Sequence, residues 1–138
     1  MEISTEYKSF NRDKSVEELK YDCMNWNGNL QLLKIELAFL KGLLDYNIYE
    51  PHTINLFETL QLLKKNIDDA NKKIIEFETQ TTHYMAQLDE NFKCKFGNCS
   101  RFYIELHEKK DYDLYEFFNE SNNLKIELFQ FIQSTIRQ

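Results

Sequence analysis

The sequence predicts an all-α fold, an elongated antiparallel bundle of three long helices. Apolar residues recur in alternating steps of three and four along three separate stretches, which is the heptad spacing of helices that pack side by side. Glycine and proline are scarce, with three and one among 138 residues. This scarcity of turn residues argues against a β-sandwich, a nucleotide-binding α/β sheet and a glycine-rich phosphate loop.

Length and charge limit the function further. The 138 residues fit a single domain, 1–138, that is large enough to have its own core. Lysine and arginine number 17 against 23 aspartate and glutamate residues, a net charge of −6, so we expect no nucleic-acid partner. The N-terminus lacks the pattern of an export signal, and no apolar run approaches the roughly 20 residues of a membrane-spanning helix. We therefore expect a cytoplasmic protein without a membrane partner.

The first helix is predicted over residues 15–48. Ser15 and Glu18 form a capping box, in which each side chain accepts a hydrogen bond from an otherwise unpaired backbone amide. The turn signal Asn27-Gly28-Asn29 does not interrupt the heptad spacing, so we expect a continuous or slightly bent helix, with a full break as the alternative. The heptad positions are Leu19, Cys23, Trp26, Leu30, Leu33, Leu37, Leu40 and Leu44.

The second and third helices are predicted over residues 51–96 and 98–137. Pro51 suits a first helical turn, and Gly97 suits the end of a helix. The heptad positions of the second helix are Leu56, Leu60, Leu63, Ile67, Ala70, Ile74, Phe77, Thr81, Tyr84 and Leu88. Those of the third helix are Tyr103, His107, Lys110, Leu114, Phe117, Ser121, Leu124, Leu128, Phe131 and Thr135.

The N-terminal segment, residues 1–14, also has a helical pattern. Ile3, Tyr7 and Phe10 are spaced by four and three residues. Because this spacing places the three side chains on one helical face, a short fourth helix that packs on the bundle is an additional expectation.

Helices one and three each carry a second apolar stripe beside the first, whereas helix two does not. A three-helix bundle buries about one broad stripe per helix, so the surplus must contact the N-terminal segment or another chain. We expect a homodimer or a complex with another helical protein; a core enlarged by aromatic residues is the alternative. The expected interface residues are Leu32, Ile35, Phe39, Leu43, Tyr115, Phe118, Phe129 and Ile132.

The cysteines offer limited chemistry. Cys94 and Cys99 form a C-x4-C pair around the predicted loop between helices two and three. A structural zinc site normally has four ligands, and no second cysteine or histidine pair has matching spacing, so we expect no metal. We predict unreactive thiols, with a reversible Cys94–Cys99 redox pair as the alternative. Cys23 lies at a heptad position and is predicted to be in the core.

The histidines share no local motif. The Glu-x-x-His pairs of di-iron bundles are absent, and so is the G-x-S-x-G motif that carries the nucleophilic serine of many hydrolases. We therefore expect neither a catalytic residue nor a cofactor. His107 lies at a heptad position and is predicted to be buried and held by a hydrogen bond. The alternative function is a small-ligand or metal-binding bundle, in which His107 and Tyr103, or the Cys94/Cys99 hairpin, supply the polar groups.

The stretch from Trp26 to Leu44 contains Glu36-Leu37-Ala38-Phe39-Leu40-Lys41 and is followed by a second heptad helix and an aromatic-rich third. This arrangement resembles short uncharacterised helical proteins of Bacteroidetes. The resemblance covers the architecture of most of the chain, and it implies neither an activity nor a functional residue. The surplus apolar stripes instead predict a non-enzymatic interaction or scaffold module that associates through apolar helix faces.

Overall fold

The computed structural model of the chain contains three long α-helices. It describes residues 6–46, 54–90 and 98–136. The helices are α1 (Val16–Leu44), α2 (Ile54–Glu90) and α3 (Asn98–Ile136). The described ranges contain no strand, and the helices pack against one another, so the predicted all-α three-helix bundle is confirmed. None of these described helices is long and apolar enough to cross a bilayer.

The helices alternate in direction. In the ion pairs between the α1 region and α2, the residue number falls along α2 as it rises along α1. These pairs are Lys20–Asp89, Lys41–Asp68 and Asp45–Lys64. In the contacts between α1 and α3, the residue numbers increase along both helices, from Asp22–His107 to Glu36–Lys125. Thus α2 is antiparallel to α1, and α3 is parallel to α1, which is the up-down-up order of a bundle with short connections.

The core consists mainly of predicted heptad positions, and Ile132, which was not one of them, belongs to it as well. The buried hydrophobic residues are Leu19, Cys23, Trp26, Leu30, Leu33, Leu37, Leu40 and Leu44 of α1, Leu63, Ile67, Ala70, Ile74, Tyr84 and Leu88 of α2, and Leu114, Phe117, Leu128 and Ile132 of α3. Full burial of a large apolar side chain is worth about 1.5–3 kcal/mol, so these positions dominate the packing energy.

The start of α1 has the predicted capping box. The Oγ of Ser15 accepts a hydrogen bond from the Glu18 amide, and the Glu18 carboxylate accepts one from the Ser15 amide, each at 3.2 Å. The helix is continuous through Asn27-Gly28-Asn29 and ends at Leu44, short of the predicted residue 48. The predictions for Pro51 and Gly97 lie outside the described residues.

The described part of the N-terminal segment, residues 6–14, is not helical, so the predicted fourth helix is wrong there. The Lys14 amide donates to the Asn11 carbonyl at 3.2 Å in a turn, and the Asn11 amide donates to the Ser9 hydroxyl at 3.4 Å. Hydrogen bonds between such short polar side chains and the nearby backbone compete with helix formation. Residues 1–5 lie outside the described residues.

Replacing Ser15 by alanine tests the capping box. The variant loses the acceptor for the Glu18 amide, so the free energy of unfolding should fall by about 1 kcal/mol. Urea denaturation followed by circular dichroism measures this change. Ser134→Ala, which removes an exposed hydroxyl that donates to a carbonyl within α3, is the matched control. Equal losses in the two variants would contradict the capping role.

Candidate functional site

The helix α1 carries large exposed apolar side chains on the side opposite to the core. At about 100° per residue, their centre lies about half a turn from the centre of the buried heptad positions. We call this surface the outer stripe, and it lies opposite to the core, whereas the sequence suggested a position beside it. Its large side chains are Tyr21 (63% exposed), Met24 (60%), Leu32 (56%), Ile35 (65%), Phe39 (66%) and, just after the helix, Tyr46 (66%).

Two apolar faces are unusual for a surface helix. A helix at the surface of a globular protein normally has one apolar stripe and a polar opposite face, and a helix that is apolar on both sides is normally buried on both sides. The outer stripe includes the predicted interface residues Leu32, Ile35 and Phe39. The remaining predicted residue of α1, Leu43, packs partly against the core because it lies between the two faces.

Both glycines of α1 lie on the exposed side of the helix, within the outer stripe. A Cβ atom added to Gly28 or Gly42 would have no other atom within 4 Å. Packing within the chain therefore does not require glycine at either position. Glycine in a helix interior costs about 1 kcal/mol relative to alanine. The glycines leave two notches in the outer stripe, one on each side of its centre.

The predicted interface residues of α3 occupy three kinds of environment. Phe129 is 56% exposed. Phe118 packs partly against the core, and Tyr115 contacts Tyr7 of the N-terminal segment, with ring centroids 5.4 Å apart. Ile132 is 7% exposed, because it lies one turn after Leu128 on the core side of the helix. Ile132 is therefore a core residue, which corrects its assignment to an interface.

The N-terminal segment lies along α3 and covers part of the α3 stripe. The Tyr7 hydroxyl donates to the Asp111 carboxylate at 3.0 Å, and its ring packs edge-on against Tyr112 at 5.3 Å. Burial and the Asp111 carboxylate raise the pKa of Tyr7 to about 12. The side-chain amide of Asn11, a buried residue, donates to the same carboxylate at 3.4 Å. We expected the surplus apolar surface to contact either the N-terminal segment or another chain, and on this part of α3 it contacts the N-terminal segment.

His107 is the centre of a buried polar cluster that joins all three helices. Its Nε2 lies 2.9 Å from the Asp22 carboxylate of α1, and its Nδ1 lies 2.8 Å from the Tyr84 hydroxyl of α2. The ring stacks on Trp26 with centroids 4.6 Å apart. Lys14 of the N-terminal segment pairs with Asp22 at 2.6 Å. These contacts confirm the prediction that His107 is buried and held by hydrogen bonds.

The protonation of this cluster follows from its acceptors. A carboxylate can only accept, so the Nε2–H of His107 donates to Asp22 and the unprotonated Nδ1 accepts from the Tyr84 hydroxyl. Burial lowers the pKa of His107, and the hydrogen bond to Asp22 opposes this effect. Burial also raises the pKa of Tyr84. The order Asp22–His107–Tyr84 could relay a proton, but Tyr84 is 1% exposed and cannot reach a substrate in solvent.

Most of the groups that the ligand-binding alternative requires are engaged or lie outside the described residues. A ligand at His107 would have to displace Asp22 or Tyr84 from its ring nitrogens. Tyr103 contributes its backbone carbonyl, which accepts a hydrogen bond from the Tyr84 hydroxyl at 3.4 Å, so this contact does not occupy its side-chain hydroxyl. In the part of the chain that the structure describes, no group of three or more His, Cys, Asp or Glu residues could hold a metal ion.

Cys23 is fully buried, and burial raises its pKa to about 12, so the predicted core position is confirmed. Cys94 and the side chain of Cys99 lie outside the described residues, and their assignment as a redox pair stays a prediction.

A surface groove of about 360 Å³ lies between α2 and α3. Ala70, Phe117 and Leu124 contribute its apolar lining. Across it, Lys73 pairs with Glu120 at 3.5 Å. This ion pair neutralises the groove's lysine within the chain, so the groove offers no free cation for an anionic ligand among the residues that line it.

Replacing His107 by glutamine tests the buried neutral imidazole. Because the pKa of His107 is lower in the folded state, the unfolded state binds more protons below about pH 6.5. The stability that His107 contributes is present above that pH and is lost as the pH falls through the folded-state pKa. As the pH falls below about 6.5, the unfolding free energy of the wild type should decrease more steeply than that of His107→Gln, by up to about 1.4 kcal/mol per pH unit.

Chemical denaturation at several pH values between about 7 and 5 measures this slope. His83→Gln, which removes an exposed histidine of α2, is the control and should keep the wild-type slope. Parallel curves for the wild type and His107→Gln would show that His107 is not held neutral by the fold.

Comparison with known proteins adds no assignment to this geometry. No family model, no curated protein and no solved structure matches the chain. The resemblance to helical proteins of Bacteroidetes therefore stays a prediction.

Proposed function

We propose that this protein is a non-enzymatic interaction module that associates with a second copy of itself through the outer stripe of α1. The observation that carries the proposal is the exposure of Leu32, Ile35 and Phe39 on the side of α1 opposite to the core. A large exposed apolar patch on a folded protein commonly marks a site of protein–protein contact. Association would bury the second face of α1 and leave the bundle's own core unchanged.

The area of the outer stripe is sufficient for a stable contact. Its six large side chains are each more than half exposed. At roughly 100 Å² per exposed side chain of this size, they offer about 600 Å² per chain and about 1,200 Å² for two chains. Specific interfaces bury about 1,200–2,000 Å² in total, so a symmetric contact reaches this range with the outer stripe alone.

The charge distribution on α1 supports the same proposal. Every charged side chain between Tyr21 and Tyr46 has an ion-pair partner within the chain. These residues are Asp22, Lys34, Glu36, Lys41 and Asp45, and they pair with Lys14, Glu78, Lys125, Asp68 and Lys64. The flanks of α1 are therefore neutralised, and the outer stripe is free of charge. The centres of protein interfaces are likewise depleted of charged residues.

The variant Phe39→Glu tests this proposal. The wild type should have twice the 16.7 kDa mass of one chain in light scattering after size exclusion. Phe39→Glu should have the mass of one chain, because association would bury an unpaired carboxylate. Its helix content should be unchanged, since Phe39 is 66% exposed and lies outside the core.

The matched control is Ile75→Glu, the same type of change at an exposed position of α2, which should keep the mass of two chains. Phe129→Glu examines the exposed part of α3 in the same assay. The proposal would be overturned if the wild type still had the mass of a single chain at a protein concentration about 100 times a micromolar dissociation constant.

A further inference from the structure

We infer that two copies of the chain pair their α1 helices in antiparallel orientation, with the partner's Phe39 seated on Gly28. This inference rests on the proposed self-association and adds the orientation, the register and a role for Gly28. The observations that carry it are the heptad spacing of the outer stripe, its internal symmetry and the open space at Gly28.

Most of the outer stripe follows one heptad repeat, which runs through α1 and continues to Tyr46 just after the helix, with Met24 beside it. Exposed residues at alternating steps of four and three begin at Tyr21 and end at Tyr46: Tyr21, Asn25, Gly28, Leu32, Ile35, Phe39, Gly42 and Tyr46. Strict heptad spacing keeps one side of a helix facing a partner helix over several turns. This surface is therefore shaped for another long helix rather than for a loop or a strand.

The repeat is symmetric about the point between Leu33 and Lys34. Within the helix, reversal about this point exchanges Leu32 with Ile35 and Gly28 with Phe39. An antiparallel pair of identical helices with its twofold axis at this point brings these exchanged positions face to face. The spacing of the positions is thus compatible with the twofold symmetry of a closed dimer, and the residue types at these positions have to decide the register.

The antiparallel arrangement also matches side-chain volumes. Gly28 is surrounded by open space, with no atom within 4 Å of an added Cβ, and Phe39 is 66% exposed. Opposite Gly28, the partner's Phe39 would fill the notch, because helix interfaces pack large residues against small ones. A parallel pair would place each residue opposite its own copy, with two glycines in one layer and two phenylalanines in another.

The second notch fits the same register. Reversal about the same point places Gly42 opposite Asn25. The larger Asn25 side chain thus faces a small residue, as Phe39 does at the first notch.

The coupling between Gly28 and Phe39 tests the inference. Gly28→Leu should weaken dimerisation at least tenfold, because the leucine would occupy the seat of the partner's Phe39. Phe39→Ala should also weaken it, since the seat would be left empty. The double variant should dimerise at least tenfold more tightly than the product of the two single effects predicts. Sedimentation equilibrium measures each dissociation constant.

Controls separate this coupling from changes in folding. At a concentration low enough that both proteins are monomeric, thermal unfolding of Gly28→Leu should not occur below that of the wild type, because the added side chain meets open space within the chain. The pair Gly28→Leu with Phe129→Ala, which removes an exposed phenylalanine of α3, should show additive effects. Additive effects in the Gly28/Phe39 pair as well would overturn the inference.

Cysteine cross-linking tests the orientation. The variants Gly28→Cys and Phe39→Cys are prepared in a chain with Cys94→Ser and Cys99→Ser, mixed and oxidised. The antiparallel pair should give a disulfide mainly between the two different variants, since two copies of residue 28 would lie about 16 Å apart along the helix axis. Disulfides mainly between identical variants, or none in a dimer, would overturn the inference. A monomeric wild type would instead overturn the proposed function.

Discussion

Burial of the heptad side chains of α1 against α2 and α3 is the constraint on which the rest of the structure depends. Leu30 and Leu37 are fully buried, and Leu33 and Leu40 nearly so. Their burial fixes the rotation of α1 about its own axis. Once that rotation is fixed, a residue such as Phe39, about half a turn away, has to face outward. The outer stripe is therefore a geometric consequence of the core and cannot be hidden by a small local rearrangement.

The buried polar cluster adds a second kind of specificity to the apolar core. Asp22, Tyr84 and His107 belong to three different helices and satisfy one another's hydrogen bonds. Leucine-rich seams can shift along one another by a heptad with limited loss of contact. Such a shift here would leave a buried donor or acceptor without its partner, which costs about 1–3 kcal/mol. The cluster thus selects one axial alignment of the helices, whereas the apolar contacts provide most of the packing energy.

Heptad spacing was sufficient to predict the three helices and most of the core, because a period depends only on neighbouring residues. It could not pair Asp22 with His107, 85 positions away, since that contact depends on the axial alignment of two helices. Ile132 was assigned to an interface because the heptad positions were continued through Phe131, whereas the buried side of α3 continues from Leu128 to Ile132 one turn later. The symmetry of the outer stripe was present in the sequence, but only the exposure of Tyr21 and Gly28 distinguished this stripe from a broader core.

The polar cluster also makes the two ends of the bundle chemically unequal. Lys14, Asp22, Tyr84 and His107 gather at the end where α1 and α3 begin, whereas Leu40, Leu44, Leu63 and Leu128 pack toward the other end. Acid loosens contacts of the first kind. In acid the molecule would accordingly fray from the end where α1 and α3 begin, and amide exchange mapped along α1 would show protection lost there first.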